Sequence, residues 1–206
     1  MGPIWTQRGQ TIDRYYIEKF LNDRSADIHG HVLEITDSTY TWQFGGDRVT
    51  KSSVLHTSLG NPAATIVGNI EDEDLIPNDT FDCIILTQTI LLIYDLRTSI
   101  EAVYRILKPG GVALLTVPGI SQIVLEDDNK WPDYWRFTDK SARRLMEECF
   151  PPECIQVGTY GNVLSATGFL YGLAVEEFKK SELDHNDPKF QVTIWIRAQK
   201  PEELSL

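Results

Sequence analysis

Apolar positions along this chain recur with two periods, and the alternation between them predicts the elements. In Ile12–Leu21, "IDRYYIEKFL", Ile12, Tyr15 or Tyr16, and Phe20 share one helical face, which predicts an N-terminal helix over about 11–22. Val32–Ile35 is a short apolar run that reads as a first strand and ends in small hydroxyl and acidic residues. Thr41–Arg48 is short for a crossover helix and carries no clear period. A second strand is predicted around Ser53–His56 and a third over Ala64–Val67, separated by the Gly60-Asn61-Pro62 turn. Phe81–Leu86, "FDCIIL", is continuously apolar, as a strand covered on both faces should be. In Thr98–Leu107, Ile100, Val103, Tyr104 and Leu107 fall at i, i+3, i+4 and i+7, which predicts a helix stopped by Pro109-Gly110-Gly111. Val112–Val117 follows as another buried strand. Strand, helix and strand joined by short loops imply a right-handed βαβ unit and a parallel sheet. Thr138 is placed to cap a helix from Asp139 to about Phe150, and Asp95 to cap the helix before it. A strand over Cys154–Tyr160, a helix over Val163–Phe178 and a strand over Phe190–Ala198 complete the pattern. No repeat or linker interrupts it, so residues 1–206 are expected to form one domain.

Composition narrows the classes. With 206 residues and 42% apolar content the chain can bury a full core. Its formal net charge of −11 repels polyanions, which argues against a nucleic-acid partner. No apolar run approaches the ~20 residues of a membrane helix, and the N-terminus lacks a secretory pattern. Gly2 and Thr6 formally fit a myristoylation pattern, but Pro3 is an awkward neighbour and the match is discounted. Three cysteines (Cys83, Cys149, Cys154) with no C-x-x-C pair suit a reducing cytoplasm, and Cys83 reads as a buried small hydrophobe. Glu71–Asp74 reads as a solvated acidic loop, and His29, His31 and His185 lack metal-ligand spacing, so no metal is expected.

"FDCIIL" followed by "LKPGGVALLTVP" resembles the class I S-adenosylmethionine-dependent methyltransferases, in their small, single-domain, type 11-like branch. The resemblance implies an α/β, Rossmann-like three-layer sandwich around a mostly parallel seven-stranded sheet with an antiparallel last strand. It also implies S-adenosyl-L-methionine as cofactor, S-adenosyl-L-homocysteine as product, and a cleft beyond the carboxyl ends of the strands. The family's first motif is acidic-x-Gly-x-Gly-x-Gly. Glu34 matches the acidic position, while Thr36, Ser38 and Tyr40 stand where the glycines would be. Threonine at positive φ is strained, so either the turn takes another conformation or the ligand sits further out. The hydroxyls of Thr36 and Ser38 offer substitute contacts. Where an acidic residue would end the second strand and bind the ribose, this chain has Ser52-Ser53. Asn69 and Ile70 follow the third strand, where the adenine is expected, and Thr87 and Gln88 close the fourth. Leu91 occupies a position that is often His in relatives.

Methyl transfer draws mostly on proximity and orientation, and a base is needed only if the acceptor must lose a proton. The candidates are His56, Asp133, Tyr134 and Glu126. The segment over about 120–138 contains "WPDYWRF", which reads either as a lid or as a packed aromatic corner. As a lid, Trp131, Tyr134 and Trp135 supply apolar walls and Arg136 pairs a carboxylate or phosphate, with Tyr16 and Leu91 also facing the acceptor. The expected function is methyl transfer to oxygen or nitrogen of a sugar-like compound or secondary metabolite, by a monomer or homodimer. The alternative is a methyltransferase fold that acts as a cyclase- or isomerase-like enzyme, or as a binding or scaffold protein.

Overall fold

A computed structural model describes residues 9–123 and 132–202. Seven strands form one sheet: β1 (Gly30–Ile35), β2 (Val49–His56), β3 (Ile66–Val67), β4 (Phe81–Thr87), β5 (Leu107–Pro118), β6 (Ile155–Tyr160) and β7 (Thr193–Gln199). Their order is β3-β2-β1-β4-β5-β7-β6. Strands β1 to β5 pair in parallel, and β7 runs antiparallel to both β5 and β6. The helices are α1 (Ile12–Asp23), α2 (Leu96–Ile106), α3 (Asp139–Met146), α4 (Val163–Leu170) and α5 (Lys180–Asp184). This is the Rossmann-like α/β sandwich implied by the sequence. The strand order reverses between β1 and β4, and there the sheet opens a crevice.

The continuous apolar runs follow from burial on both faces. Ile84 and Leu86 of β4 pack with Ile100, Val103 and Ile106 of α2 and with Met146 of α3. The alternate residues Cys83 and Ile85 pack on the other face with Ile17, Phe20 and Leu21 of α1. Burying each large side chain of this kind is worth about 1.5–3 kcal/mol, which fixes the register of β4.

Two local predictions are revised, and one unassigned stretch is filled. Helix α2 ends at Ile106, one residue early, and "LKPGG" is a bulged entry into β5 rather than a helical turn. Phe81 pairs with Leu107 and Cys83 with Val112, so Asp82 alone spans Lys108 to Gly111. Asp82 fills the gap: its Oδ2 accepts from the His31 N–H (2.7 Å) and from Lys108 Nζ (2.8 Å). Burial pushes the Asp82 carboxyl up, but these bonds outweigh it and hold its pKa below the ordinary value. Gly30, at φ 66°, is required beside it, because a Cβ there would lie 2.4 Å from Asp82 Oδ2. Second, the helix expected over Val163–Phe178 stops at Leu170. Gly172 sits at φ 71°, and the Leu173 and Gly172 N–H groups donate back to Gly168 and Phe169, a Schellman stop. The unassigned stretch, Thr41–Arg48, forms only a π-type turn over Thr41–Gly45 and a 3₁₀ turn over Gly46–Arg48. The caps agree with the sequence reading: the Asp95 side chain accepts from Thr98 N–H, and Thr138 forms a capping box with Ser141.

Replacing Asp82 with Ala should lower the unfolding free energy by about 1–3 kcal/mol, since the His31 N–H loses its acceptor. Lys108→Met should cost less, within about 1 kcal/mol, because the Lys108 side chain is 39% exposed. Urea unfolding of both variants checks the order; an equal or reversed cost would show that the lysine, not the backbone bond, holds the strand entries together.

Candidate active site

A cleft of about 1170 Å³ lies at the carboxyl ends of β1, β2 and β4. Its wall is built from Glu34–Asp37 after β1, Leu55–Thr57 at the end of β2, Gly68–Glu71 after β3 and Leu86–Asp95 after β4. Asp13 and Arg14 of α1 close one side, and Pro132–Tyr134 with Arg136 close another.

The turn after β1 keeps the backbone that glycine would serve, with threonine in place. Thr36 has φ 73°, in the left-handed region. For a β-branched residue this costs on the order of 1–2 kcal/mol. The surroundings enforce it: the Thr36 N–H donates to Leu55 O (3.0 Å), and the Thr36 carbonyl accepts from Asn61 Nδ2 (2.6 Å). Of the two alternatives the sequence left, a turn that avoids positive φ is therefore not the one adopted. Glu34 is 4% exposed and anchors the next segment. Its carboxylate accepts from the Tyr40 N–H (3.2 Å), the Thr41 N–H (2.7 Å) and the Thr41 hydroxyl (2.7 Å). Burial pushes its pKa up to about 7 despite these bonds. Tyr40 lines the cleft, and burial raises its phenol to about 12. Ser38 does not line the cleft; Thr39 does.

At the β2 end the register decides. Ser53 pairs opposite Leu33, three residues before the strand finishes at His56. Its hydroxyl lies 2.9 Å from His31 Nε2, and it is not part of the cleft wall. His56 takes the strand-end position, 9% exposed, with Nδ1 2.9 Å from the Ser58 carbonyl oxygen. Asn69, Ile70, Thr87 and Gln88 all line the cleft. The acidic loop shapes this wall, because Asp72 Oδ2 accepts from the Asn69 N–H (2.9 Å). Gln88, at φ 48°, is held by its N–H to Thr116 O (2.9 Å).

The aromatic segment divides between wall and packing. Asp133, Tyr134 and Arg136 line the cleft, as does Leu91. Arg136 pairs with Asp133 through both guanidinium nitrogens (2.5 and 2.8 Å), and the Asp133 side chain is 1% exposed. The carboxylate that Arg136 meets is thus the protein's own. The Tyr134 N–H donates to Leu91 O (3.0 Å), and its ring meets Tyr94 edge-on at 5.3 Å. Trp135 is packed instead: its Nε1–H donates to Ile93 O (3.0 Å), and it does not line the cleft. Tyr16 is fully buried, donates to Leu183 O (2.9 Å) and stacks on Tyr160, away from the cleft. Glu126 and Trp131 lie outside the described residues. Among the described residues, no group of three or more His, Cys, Asp or Glu is placed to hold a metal ion, and no helix is long and apolar enough to cross a membrane. Asp13 and Arg14 were not signalled by the sequence, where they read as the polar face of a helix.

The strand order and the cleft at the switch point define the class I S-adenosylmethionine-dependent methyltransferase fold. Residues 25–115 match the family described as a methyltransferase domain, from the approach to β1 into β5. That stretch, a little under half of the chain, is therefore similar to a methyltransferase domain. An Archaeoglobus fulgidus S-adenosylmethionine-dependent methyltransferase superposes with a TM-score of 0.59 at 9% identity, covering 91% of this chain and 94% of that one. The 4+2 cyclase SpnF does so at 0.59 and 14%, covering 92% and 82%. A Haemonchus contortus phosphoethanolamine N-methyltransferase 2, in complex with phosphomonomethylethanolamine and S-adenosylhomocysteine, matches at 0.55 and 16%, covering 87% and 53%. These identities show a shared fold. Among curated proteins, Probable polyketide synthase 15 of Dictyostelium discoideum is 24% identical over 130 residues, 61% of this chain. The match spans only 4% of that synthase.

Two outcomes test the turn. The raised Glu34 pKa means the folded state binds a proton that the unfolded chain releases at lower pH. Glu34 therefore withdraws stability as pH rises from its ordinary value of 4.5 through about 7. Glu34→Gln should remove this slope, on the order of 1–3 kcal/mol across the window, in urea unfolding followed at several pH values; an unchanged slope would assign it elsewhere. Thr36→Gly should leave stability unchanged or raise it by up to about 1 kcal/mol, since relief of strain exceeds the entropy of glycine. A loss above ~1 kcal/mol would mean the Thr36 side chain itself holds the turn.

Proposed function

We propose that the protein binds S-adenosyl-L-methionine in this cleft and transfers methyl to an oxygen or nitrogen of a small molecule, a sugar-like compound or secondary metabolite. The observation that carries this reading is Thr36 at φ 73° beside the buried Glu34, because it keeps a close-approach turn although every glycine is replaced. The lining fits the group. Ile70 offers an apolar surface and Asn69 an amide for the base, and Thr87 and Gln88 adjoin the turn at the switch point. The β2 end carries His56 in place of an acidic residue, which would weaken the hold on the ribose without abolishing it.

When bound, S-adenosylmethionine supplies an electrophilic methyl on a sulfonium. The chain's own contribution is to orient the acceptor and exclude water. Leu91 and the Tyr134 ring provide apolar wall, and the Asp133–Arg136 pair fixes the segment that carries Tyr134. Acceleration then comes mainly from proximity. His56 and Tyr134 remain the proposed groups for an acceptor that must lose a proton, since Asp133 is engaged by Arg136. Leu91, apolar where relatives often place His, favours a second reading in which the fold catalyses a cyclisation or isomerisation, or binds without turnover.

Calorimetric titration with S-adenosylhomocysteine should give saturable heat well below millimolar ligand. Absence of heat at millimolar concentration would sink the methyl-transfer reading. Binding without transfer of labelled methyl to any of a panel of hydroxyl and amine acceptors would favour the second.

A further inference from the structure

The cleft runs along the carboxyl edge of the sheet. It starts at Asn69 and Ile70 beyond β3, passes the Thr36 turn and ends at Pro118, Phe169 and Val192 on the β5 and β7 side. The sheet itself builds this end wall: Pro118 pairs opposite Thr193, and the Gly119 N–H donates to Val192 O (3.0 Å). A second cavity of about 170 Å³ lies between residues 9–13 and 169–174. Three residues belong to the walls of both spaces: Asp13 of α1, Gln122 after β5 and Phe169 of α4. Gln122 is exposed and Asp13 is short, so the Phe169 ring is the bulk of the partition. It is also the fixed part. Phe169 is 9% exposed and shares a cluster with Ile12, Tyr16, Ala166 and Val192. Its helix is held at one end by the Asn162–Ser165 capping box and at the other by the stop at Gly172. An apolar cavity of roughly 150 Å³ holds a benzene ring, so the space behind Phe169 suits a group of about that size.

We infer that Phe169 sets the length of the methyl acceptor, an elongated molecule whose reacting hydroxyl or amine lies at the switch point and whose apolar end meets the Phe169 ring. This rests on the methyltransferase reading, which puts an adenosyl ligand over the β3 and β1 side and leaves the β5 and β7 side to the acceptor. The end wall supplies the selectivity. Pro118, Phe169 and Val192 have apolar side chains, so an acceptor that is polar all round would bring hydroxyls there without partners. The Arg136 guanidinium is held by Asp133 and by Gln122 O (2.5 Å), which ties the segment carrying Tyr134 to the chain that follows β5. Each methylene that this end removes from water should tighten binding about threefold, until the chain reaches Phe169.

The test is calorimetry on the chain saturated with S-adenosylhomocysteine and titrated with 4-alkylphenols from methyl to hexyl. On the wild-type chain, affinity should rise about threefold per methylene and then fall once the alkyl group meets Phe169. Phe169→Ala joins the two cavities and should make the best-fitting chain longer by ~two carbons or more. Phe169→Leu keeps more of the core filled and should act in the same direction by less. Methyl glucopyranoside should bind about tenfold more weakly than the best alkylphenol, or worse. An unchanged length limit in both variants, or sugar binding as tight as that of the best alkylphenol, would overturn the role of Phe169 and the acceptor class. Binding of S-adenosylhomocysteine without binding of any alkylphenol would do the same and leave the adenosyl pocket standing. Failure of S-adenosylhomocysteine to bind the wild-type chain would overturn the methyltransferase reading and this assignment with it.

Discussion

The carboxyl of Glu34 is the constraint on which the cleft depends. It sits at the end of β1, nearly sealed from solvent, and receives two backbone N–H groups and one hydroxyl from Tyr40 and Thr41. Those bonds set how the chain leaves the sheet and returns toward β2 with only two short helical turns between them. They also set the position of Thr36, which lies between the two anchored ends and is held in a left-handed backbone from both sides by Leu55 and Asn61. The strain at Thr36 persists because the hydrogen bonds around it over-determine the turn, as strained residues at functional sites commonly require. Glycine would reach the same conformation without strain. The chain instead uses a buried acid and neighbouring amides to reach it with a side chain present.

A second set of bonds stands at the opposite end of the same strands. Asp82 joins the starts of β1, β4 and β5 through His31 and Lys108. The "FD…LKPGG" pattern that resembles the methyltransferases is thus structural: it fixes where three parallel strands enter the sheet, and so where their carboxyl ends come together. The motif with the clearest likeness sits at the far ends of the strands from the cleft, and the turn after β1 that lines the cleft carries Thr36, Ser38 and Tyr40 in place of glycines.

This explains what was legible in the sequence. The continuous apolar run of β4 and the stripe on α2 are properties of local spacing, and they identified the sheet and its parallel pairing. The caps at Asp95 and Thr138 are equally local. The stop at Gly172 was signalled only by one glycine inside an apolar run, where helical spacing outweighed it. Placing Ser53 required the register of β2 against β1, which no single-strand pattern contains: Ile35 opposite Leu55 puts the strand end at His56. The division of the aromatic segment, with Trp135 packed and Tyr134 on the wall, depends on which carbonyl each residue reaches. Asp13 and Arg14 were hidden for the same reason, since a polar helix face looks identical whether it meets water or a cleft.

The charge of the wall links these features. Among the described residues, six acidic side chains (Asp13, Glu34, Asp37, Glu71, Asp95 and Asp133) and two arginines line the cleft. One arginine is neutralised internally, so the field in the cleft is negative and favours a cationic ligand over an anionic one. A sulfonium carries positive charge before methyl transfer and none on sulfur afterwards. A wall of this kind therefore holds the proposed methyl donor more strongly than its product, which aids release once the methyl has left.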